Sequence, residues 1–282
     1  MKESTWKKWL RRLGLMLFIV SIFIGILYFF QDRLIFYPQT VSESESERIA
    51  DEHKRAEEVS FSTADGEQLH GWLLHPADAD QKAAPLLIYY GGNAEELSSQ
   101  IAPMSANLTD WSVLLVNYRG YGRSGGSPGE QALYNDAIMI FDEIHEQLGH
   151  TEISSTVLMG RSLGGSIATK VASERQVDGM VLISPFDTLT NVAKIHYPFL
   201  PVSWLLKYSF NSLESAPDIS VPLLALAAKN DDIIPPERTK TLIANWDGPV
   251  QFELIENRHH NDIHMDSQFW NVITEFLETK PD

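Results

Sequence analysis

The chain contains no cysteine. That excludes disulfides and a lipid-modified cysteine anchor, and it is compatible with an exported protein that does without disulfides. Positive charge is scarce: 22 Lys and Arg stand against 38 Asp and Glu, for a formal net charge of −16. A balance this acidic argues against a nucleic-acid partner, whose phosphates need a basic surface. It also argues against strong adhesion of a soluble body to anionic lipid. No internal repeat or long low-complexity tract occurs. The roughly 250 residues after the first 30 are therefore read as one domain with a large core. One further absence is local: residues 13–30 carry no charge at all.

That uncharged run is apolar throughout and, as a helix, spans about 27 Å, close to the hydrocarbon thickness of a bilayer. Trp6 and Trp9 on one side and Tyr28 and Tyr37 on the other suit the two interfaces. Lys2, Lys7, Lys8, Arg11 and Arg12 precede the run, whereas Arg33 stands nearly alone after it. The positive-inside rule then places residues 1–12 in the cytoplasm and everything after the span on the outer side. A cleaved signal peptide is the competing reading, but the run ends in bulky Tyr28, Phe29 and Phe30 rather than at a small-residue cleavage site. Residues 31–57 are rich in charge, from Glu43 through Glu57, and read as a solvated linker or an exposed helix joining anchor to domain.

The strongest chemical signal is Gly160-Arg161-Ser162-Leu163-Gly164. The apolar stretch Val157, Leu158, Met159 before it reads as a buried strand, and Ile167, Ala168, Val171 and Ala172 after it recur at helical spacing. Strand, tight turn and helix form the setting that a nucleophile elbow requires. Glycines on both sides leave room for the sharp turn. The serine hydroxyl then stands at a helix N-terminus, where developing negative charge is favoured. The bland alternative is a structural glycine-rich turn.

A nucleophilic serine needs a base, and the base needs an orienting acid. Residues 222–228 read as a strand followed by a loop with Asp231 and Asp232. Asp231 fits the acid better, since it leads an Asp-x-x-apolar-Pro pattern ending at Pro235; Asp232 fits an exposed loop residue or a helix cap. Residues 250–255 read as the last strand, followed by a loop with His259 and His260, of which only one can face the serine. His260, Asp262 and His264 also invite a metal reading, but no further ligand stands at a fixed spacing. Asp187 is an alternative acid or, more commonly for its position, a helix cap. Arg161 beside the serine reads as a contact for anionic substrates or as a plain surface charge.

Eight strands are expected: 58–63 and 68–75 as a hairpin around Asp65-Gly66, then 85–90, 112–117, 155–159, 180–183, 222–228 and 250–255. Near-continuous apolar strands alternating with helices indicate a mostly parallel sheet covered on both faces. A helix is expected over 265–278. Ser162, Asp231, His260 and Asn93 all follow strands, at the sheet edge where such folds bind ligands. Residues 187–220 make a longer excursion rich in aromatics and leucine, which suits a small cap over an apolar acyl pocket as well as it suits ordinary packing.

Taken in order, several segments resemble a known family. They are Leu34-Ile35-Phe36-Tyr37-Pro38; Ser62-Thr63-Ala64-Asp65-Gly66; Gly92-Asn93-Ala94; Asn117-Tyr118-Arg119-Gly120-Tyr121-Gly122-Arg123-Ser124; Gly160-Arg161-Ser162-Leu163-Gly164-Gly165; and His260-Asn261-Asp262. Over about residues 31–278 the chain resembles the membrane-anchored α/β-hydrolases of the Bem46 or α/β-hydrolase-domain-13-like type, which are related to serine aminopeptidase-type hydrolases. The resemblance implies an α/β-hydrolase fold over residues 58–282, with an eight-stranded sheet and a cap at about 187–220. It favours His260 as the catalytic histidine, supports Asp231 as the acid, and makes the N–H groups of Asn93 and Leu163 the oxyanion donors. The chain departs from the family pattern at Glu95 and His259, where glycine is usual, and at Asn117, where aspartate is usual. An oxyanion hole built from backbone N–H groups tolerates such side-chain changes.

The resulting expectation is a serine hydrolase acting on an acyl ester or thioester, small or lipid-like, through Ser162, His260 and Asp231. No metal or organic cofactor is called for. A peptidase or aminoacyl hydrolase with the same triad, and a non-enzymatic membrane scaffold on a hydrolase fold, are the alternatives. Nothing in the sequence sets the oligomeric state.

Overall fold

The computed structural model describes residues 5–78, 83–149 and 152–279; Lys2 and residues 280–282 lie outside them. Helix α1 (Thr5–Ile35) has 31 residues. At about 46 Å it exceeds a hydrocarbon core, so the uncharged run is its middle rather than its whole length. It is long and apolar enough to cross a membrane, and its most apolar stretch is buried by nothing else in the protein.

The segment expected to be a solvated linker or an exposed helix holds a mostly exposed helix, and it packs onto the domain through a few inward residues. Phe36 is buried, Thr40 bridges to Gly122, and α2 (Glu43–Glu52) follows with Ser46 and Ile49 buried. Those two residues lie three apart on one helical face, which turns inward while Glu47 and Arg48 between them stay in solvent. Ser42 caps the helix by accepting the Glu45 N–H. Ser46 Oγ donates to Glu58 on β1 (Ala56–Ser62), so the expected boundary at residue 58 falls inside the first strand.

β1 pairs antiparallel with β2 (Gln68–Leu74). The chain continues through β3 (Ala84–Tyr90), α3 (Ile101–Asn107), β4 (Ser112–Val116), α4 (Glu130–Leu148), β5 (Ile153–Arg161), α5 (Leu163–Glu174) and β6 (Gly179–Ile183). Within the 187–220 excursion come α6 (Leu189–His196), α7 (Val202–Leu205) and α8 (Ser212–Ser215). Then follow β7 (Leu223–Ala228), α9 (Pro236–Ile243), β8 (Val250–Ile255) and α10 (Ser267–Glu278). The eight strands form one sheet in the order β1-β2-β4-β3-β5-β6-β7-β8. β2 meets β4 antiparallel, and every pairing from β4 onward is parallel.

Alternation along the strands splits the core in two. Leu86, Ile88 and Tyr90 of β3 join one cluster with α4 and α5, while Leu87 and Tyr89 join the other with α3 and α10. This is the period-2 consequence of a sheet covered on both faces. The strand order reverses around β3, so the loops leaving β3 and β5 lie side by side, the usual place for a ligand site in such sheets.

Arg119 ties the loop after β4 to the body. Its guanidinium donates to both carboxylate oxygens of Asp136 on α4 and to both of Asp65 in the β1–β2 turn. Arg119 and Asp136 are both buried.

Candidate active site

Ser162 joins β5 to α5 with φ 53° and ψ −115°, a backbone state that an L-residue holds only under constraint. Its N–H donates to Ile183 O at 2.8 Å. A Cβ at position 160 would meet Gly164 O at 2.5 Å, and one at position 164 would meet Tyr90 O at 2.0 Å. Both obstacles are backbone, so neither can yield cheaply. Gly164→Ala is therefore expected to destabilise the fold by about 1–3 kcal/mol, read as a lower midpoint in urea. An unchanged midpoint would mean that the β3 and α5 backbones separate freely.

Asp231, just past β7, accepts the N–H groups of Ile233 at 3.0 Å and Ile234 at 2.7 Å on Oδ1. Its Oδ2 receives His260 Nδ1 at 2.7 Å. Ser162, Asp231 and His260 are 9%, 6% and 5% exposed, whereas Asp232 and His259 face solvent. Among the described residues no direct Ser162–His260 hydrogen bond forms. Arg161, the residue before Ser162, reaches the histidine loop: its Nη2 donates to His260 O at 3.2 Å and to Asn261 Oδ1 at 3.0 Å. Its Nη1 reaches Glu95 Oε2 at 3.3 Å. Arg161 is thus not a free surface charge; it clamps the histidine loop to the β3 loop.

That β3 loop is held from inside. Glu95 is buried and accepts Gly92 N–H at 2.6 Å, the Tyr89 hydroxyl at 3.0 Å and Gln100 Nε2 at 2.7 Å. Asn117 accepts Leu97 N–H at 3.0 Å and donates to Glu96 at 3.0 Å. The side chain of Asn93 accepts the Tyr121 hydroxyl at 2.8 Å and the Tyr37 N–H at 3.1 Å, and it donates to Ile35 O. Burial pushes the Tyr121 hydroxyl up to about 12 and the Tyr89 and Tyr118 hydroxyls well above their ordinary range, so all three remain donors near neutral pH. Tyr118 spends its proton on Gly91 O at 2.8 Å. Leu163 is the first residue of α5, where N–H groups have no intrahelical carbonyl to meet.

Asp187 is fully buried, accepts Thr188 N–H at 2.8 Å and Asn191 Nδ2 at 2.8 Å, and pairs with Arg238 Nη1 at 3.0 Å. Thr188, not Asp187, caps α6. Among the described residues no group of three or more His, Asp or Glu is placed to hold a metal ion. His260 is committed to Asp231, and Asp262 accepts the His259 N–H. Burial, then Arg161, lowers the His264 pKa.

Glu95 and Asn117 looked like mere departures from a pattern. Neither the bond from Leu97 N–H to Asn117, 20 positions away, nor the four-way role of Glu95 has a sequence signature.

The profile of the family described as serine aminopeptidase, S33, matches residues 96–215, a stretch that includes the elbow but not Asn93, Asp231 or His260. The protein Rv2307c of Mycobacterium tuberculosis is 30% identical over 257 residues, 89% of each chain. Protein bem46 of Schizosaccharomyces pombe is 25% identical, with 92% of this chain and 89% of that one covered. The chain belongs to the Bem46-type α/β-hydrolases. A membrane protein of Saccharomyces cerevisiae, YNL320W, is 27% identical over 98% of both chains, which agrees with α1 as a membrane anchor.

Among solved structures, the Pyrococcus furiosus esterase Pf2001 superposes with a TM-score of 0.67 at 18% identity, covering 86% of this chain and 96% of that one. An acylaminoacyl peptidase of Pyrococcus horikoshii superposes with a TM-score of 0.63 at 16% identity, over 83% of this chain and 43% of that one. These likenesses establish the α/β-hydrolase fold for this Bem46-type chain.

Proposed function

We propose that this Bem46-type hydrolase is a membrane-anchored serine hydrolase that cleaves acyl esters or thioesters. The observation that carries the reading is the buried Asp231–His260 pair, 2.7 Å apart, following in chain order an elbow serine held at positive φ. Asp231 fixes the His260 tautomer so that Nε2 is free to act as a base. Ser162 gives its proton to His260 as its Oγ attacks the acyl carbonyl, and contact between the two tightens as substrate binds. The N–H groups of Leu163 and Asn93 receive the oxyanion, each worth about 3 kcal/mol in the transition state. His260 then protonates the departing alcohol or thiol. Water, deprotonated by the same histidine, releases the acid and restores Ser162.

Glu95 favours ester over aminopeptidase chemistry. An aminopeptidase needs a carboxylate open to a free amino group, and the carboxylate beside this site is consumed by Gly92, Tyr89, Gln100 and Arg161. The detergent-solubilised chain is therefore expected to hydrolyse p-nitrophenyl butyrate at least about tenfold faster, as kcat/KM, than aminoacyl p-nitroanilides. Faster cleavage of the anilides would replace the esterase reading with the peptidase one.

The basic cluster Lys7, Lys8, Arg11 and Arg12 before the apolar run, against Arg33 after it, supports a cytoplasmic N-terminus and a hydrolase domain on the outer side.

A further inference from the structure

The cap and the anchor together enclose an apolar groove of about 340 Å³. Leu27, Tyr28 and Leu34 of α1 form one wall, and Val192, Ala193 and Leu205 of the cap form the other; Asn93 lines it as well. Leu27 and Tyr28 belong to the last turn of the uncharged run, so this wall begins at the depth where a membrane-spanning segment meets the headgroups. The two walls are joined. Gln31, buried although it lies on the anchor, donates to Leu205 O at 3.1 Å and accepts the Lys207 N–H at 2.8 Å. Asp32 accepts the Tyr208 hydroxyl at 2.9 Å, and Lys207 Nζ lies 5.2 Å from the centre of the Tyr28 ring. Beside the groove the cap exposes large apolar side chains: Phe199 is 96% and Trp204 88% exposed, with Tyr197 and Ile195 next to them. A soluble face does not keep such a set in water, whereas an interfacial one seats it among lipid headgroups.

We infer that this groove takes the acyl chain of a membrane-resident ester, entering sideways from the bilayer along α1, with the apolar tip of the cap seated in the interface. The inference rests on the hydrolase reading above for what happens next and supplies its substrate class. The volume is at the small end of ligand sites and fits one acyl chain rather than a whole two-chain lipid. Asn93 of the β3 loop lines the groove, and in this inference the ester carbonyl passes from there to Ser162 while the chain stays behind between α1 and α6. Water then adds across the ester bond, giving the free fatty acid and the alcohol. Asn93 also makes the anchor part of the site, because its side chain bonds Ile35 O and Tyr37 N–H directly after the span.

Two measurements on the full chain in phosphatidylcholine vesicles separate this inference from the hydrolase reading. In the first, 4-methylumbelliferyl palmitate in the vesicles is compared with the soluble butyrate ester for the wild type and for Ala193→Trp, which fills the groove. The palmitate-to-butyrate ratio is expected to fall roughly tenfold or more in the variant. In the second, Ser162→Ala is irradiated with a phosphatidylcholine carrying a diazirine on one acyl chain. Crosslinks are expected on residues 189–206 and on α1 near Leu27, and they are expected to disappear when Ala193→Trp is added. An unchanged ratio together with crosslinks confined to residues 13–26 would overturn the groove while leaving the esterase intact. Crosslinks in the groove without hydrolysis of either ester would keep the groove and remove the hydrolase.

Discussion

Replacing Ser162 with alanine is expected to lower kcat for an acyl ester by on the order of 10⁶-fold, because nucleophile and base act as a unit. The side chain is small, so stability should stay within about 1 kcal/mol of the wild type. Thermal unfolding measured beside the rate separates lost chemistry from lost fold. Asp231→Asn should be the milder change, on the order of 10⁴-fold, since it leaves His260 in place but favours the wrong tautomer. The two Asp231 Oδ1 contacts to Ile233 and Ile234 would survive in the amide, which makes the substitution a clean probe of the Oδ2–His260 bond. Residual activity in Ser162→Ala above a hundredth of wild type would point to another nucleophile.

The largest expected effect on stability lies away from the chemistry, at Arg119. Its guanidinium is the partner of Asp136, which is only 6% exposed, and it reaches Asp65 on the other side. Arg119→Ala leaves the Asp136 carboxylate buried without a countercharge, for a loss of about 3–5 kcal/mol. For a domain of this size that lowers the melting midpoint by on the order of 10 °C. Asp65 lies on an exposed turn, where water replaces the arginine, so it adds little to the loss. The double variant Arg119→Met with Asp136→Leu should recover most of the stability, because removing both charges also removes the desolvation that made the pair necessary. Failure of the double variant to recover would locate the importance of Arg119 in the shape of the β4 loop rather than in charge pairing.

Much of this was legible in the sequence, for reasons that differ from residue to residue. The strands announced themselves as apolar runs between turn residues, and all eight formed, with no end displaced by more than two residues. Ser162 was visible because the elbow needs glycine where backbone comes within about 2.5 Å, and only glycine satisfies that. Asp231 was separable from Asp232 by its distance to Pro235, and the fold places it where its carboxylate also caps two loop N–H groups.

What stayed hidden depends on long-range contacts that composition does not encode. Residues 43–52 read as a solvated linker or an exposed helix, with no sign of the packing of Ser46 and Ile49, because acidic residues surround them; two inward positions on a ten-residue helix are too few to stand out as a stripe. Arg161 read as an open charge because its partners, Glu95 and the His260 loop, lie 66 and 99 positions away. The extension of the anchor to Ile35 was masked by Asp32 and Arg33, whose charges end a bilayer span without ending a helix.

The most direct test of the Ser162–His260–Asp231 assignment is labelling of the full chain in detergent by a fluorophosphonate probe, with wild type beside Ser162→Ala and His260→Ala. The expected result is stoichiometric labelling of the wild type on Ser162 and none of either variant, with all three eluting as folded protein. Equal labelling of Ser162→Ala, or a folded wild type that takes no label while a known serine hydrolase in the same detergent does, would contradict it.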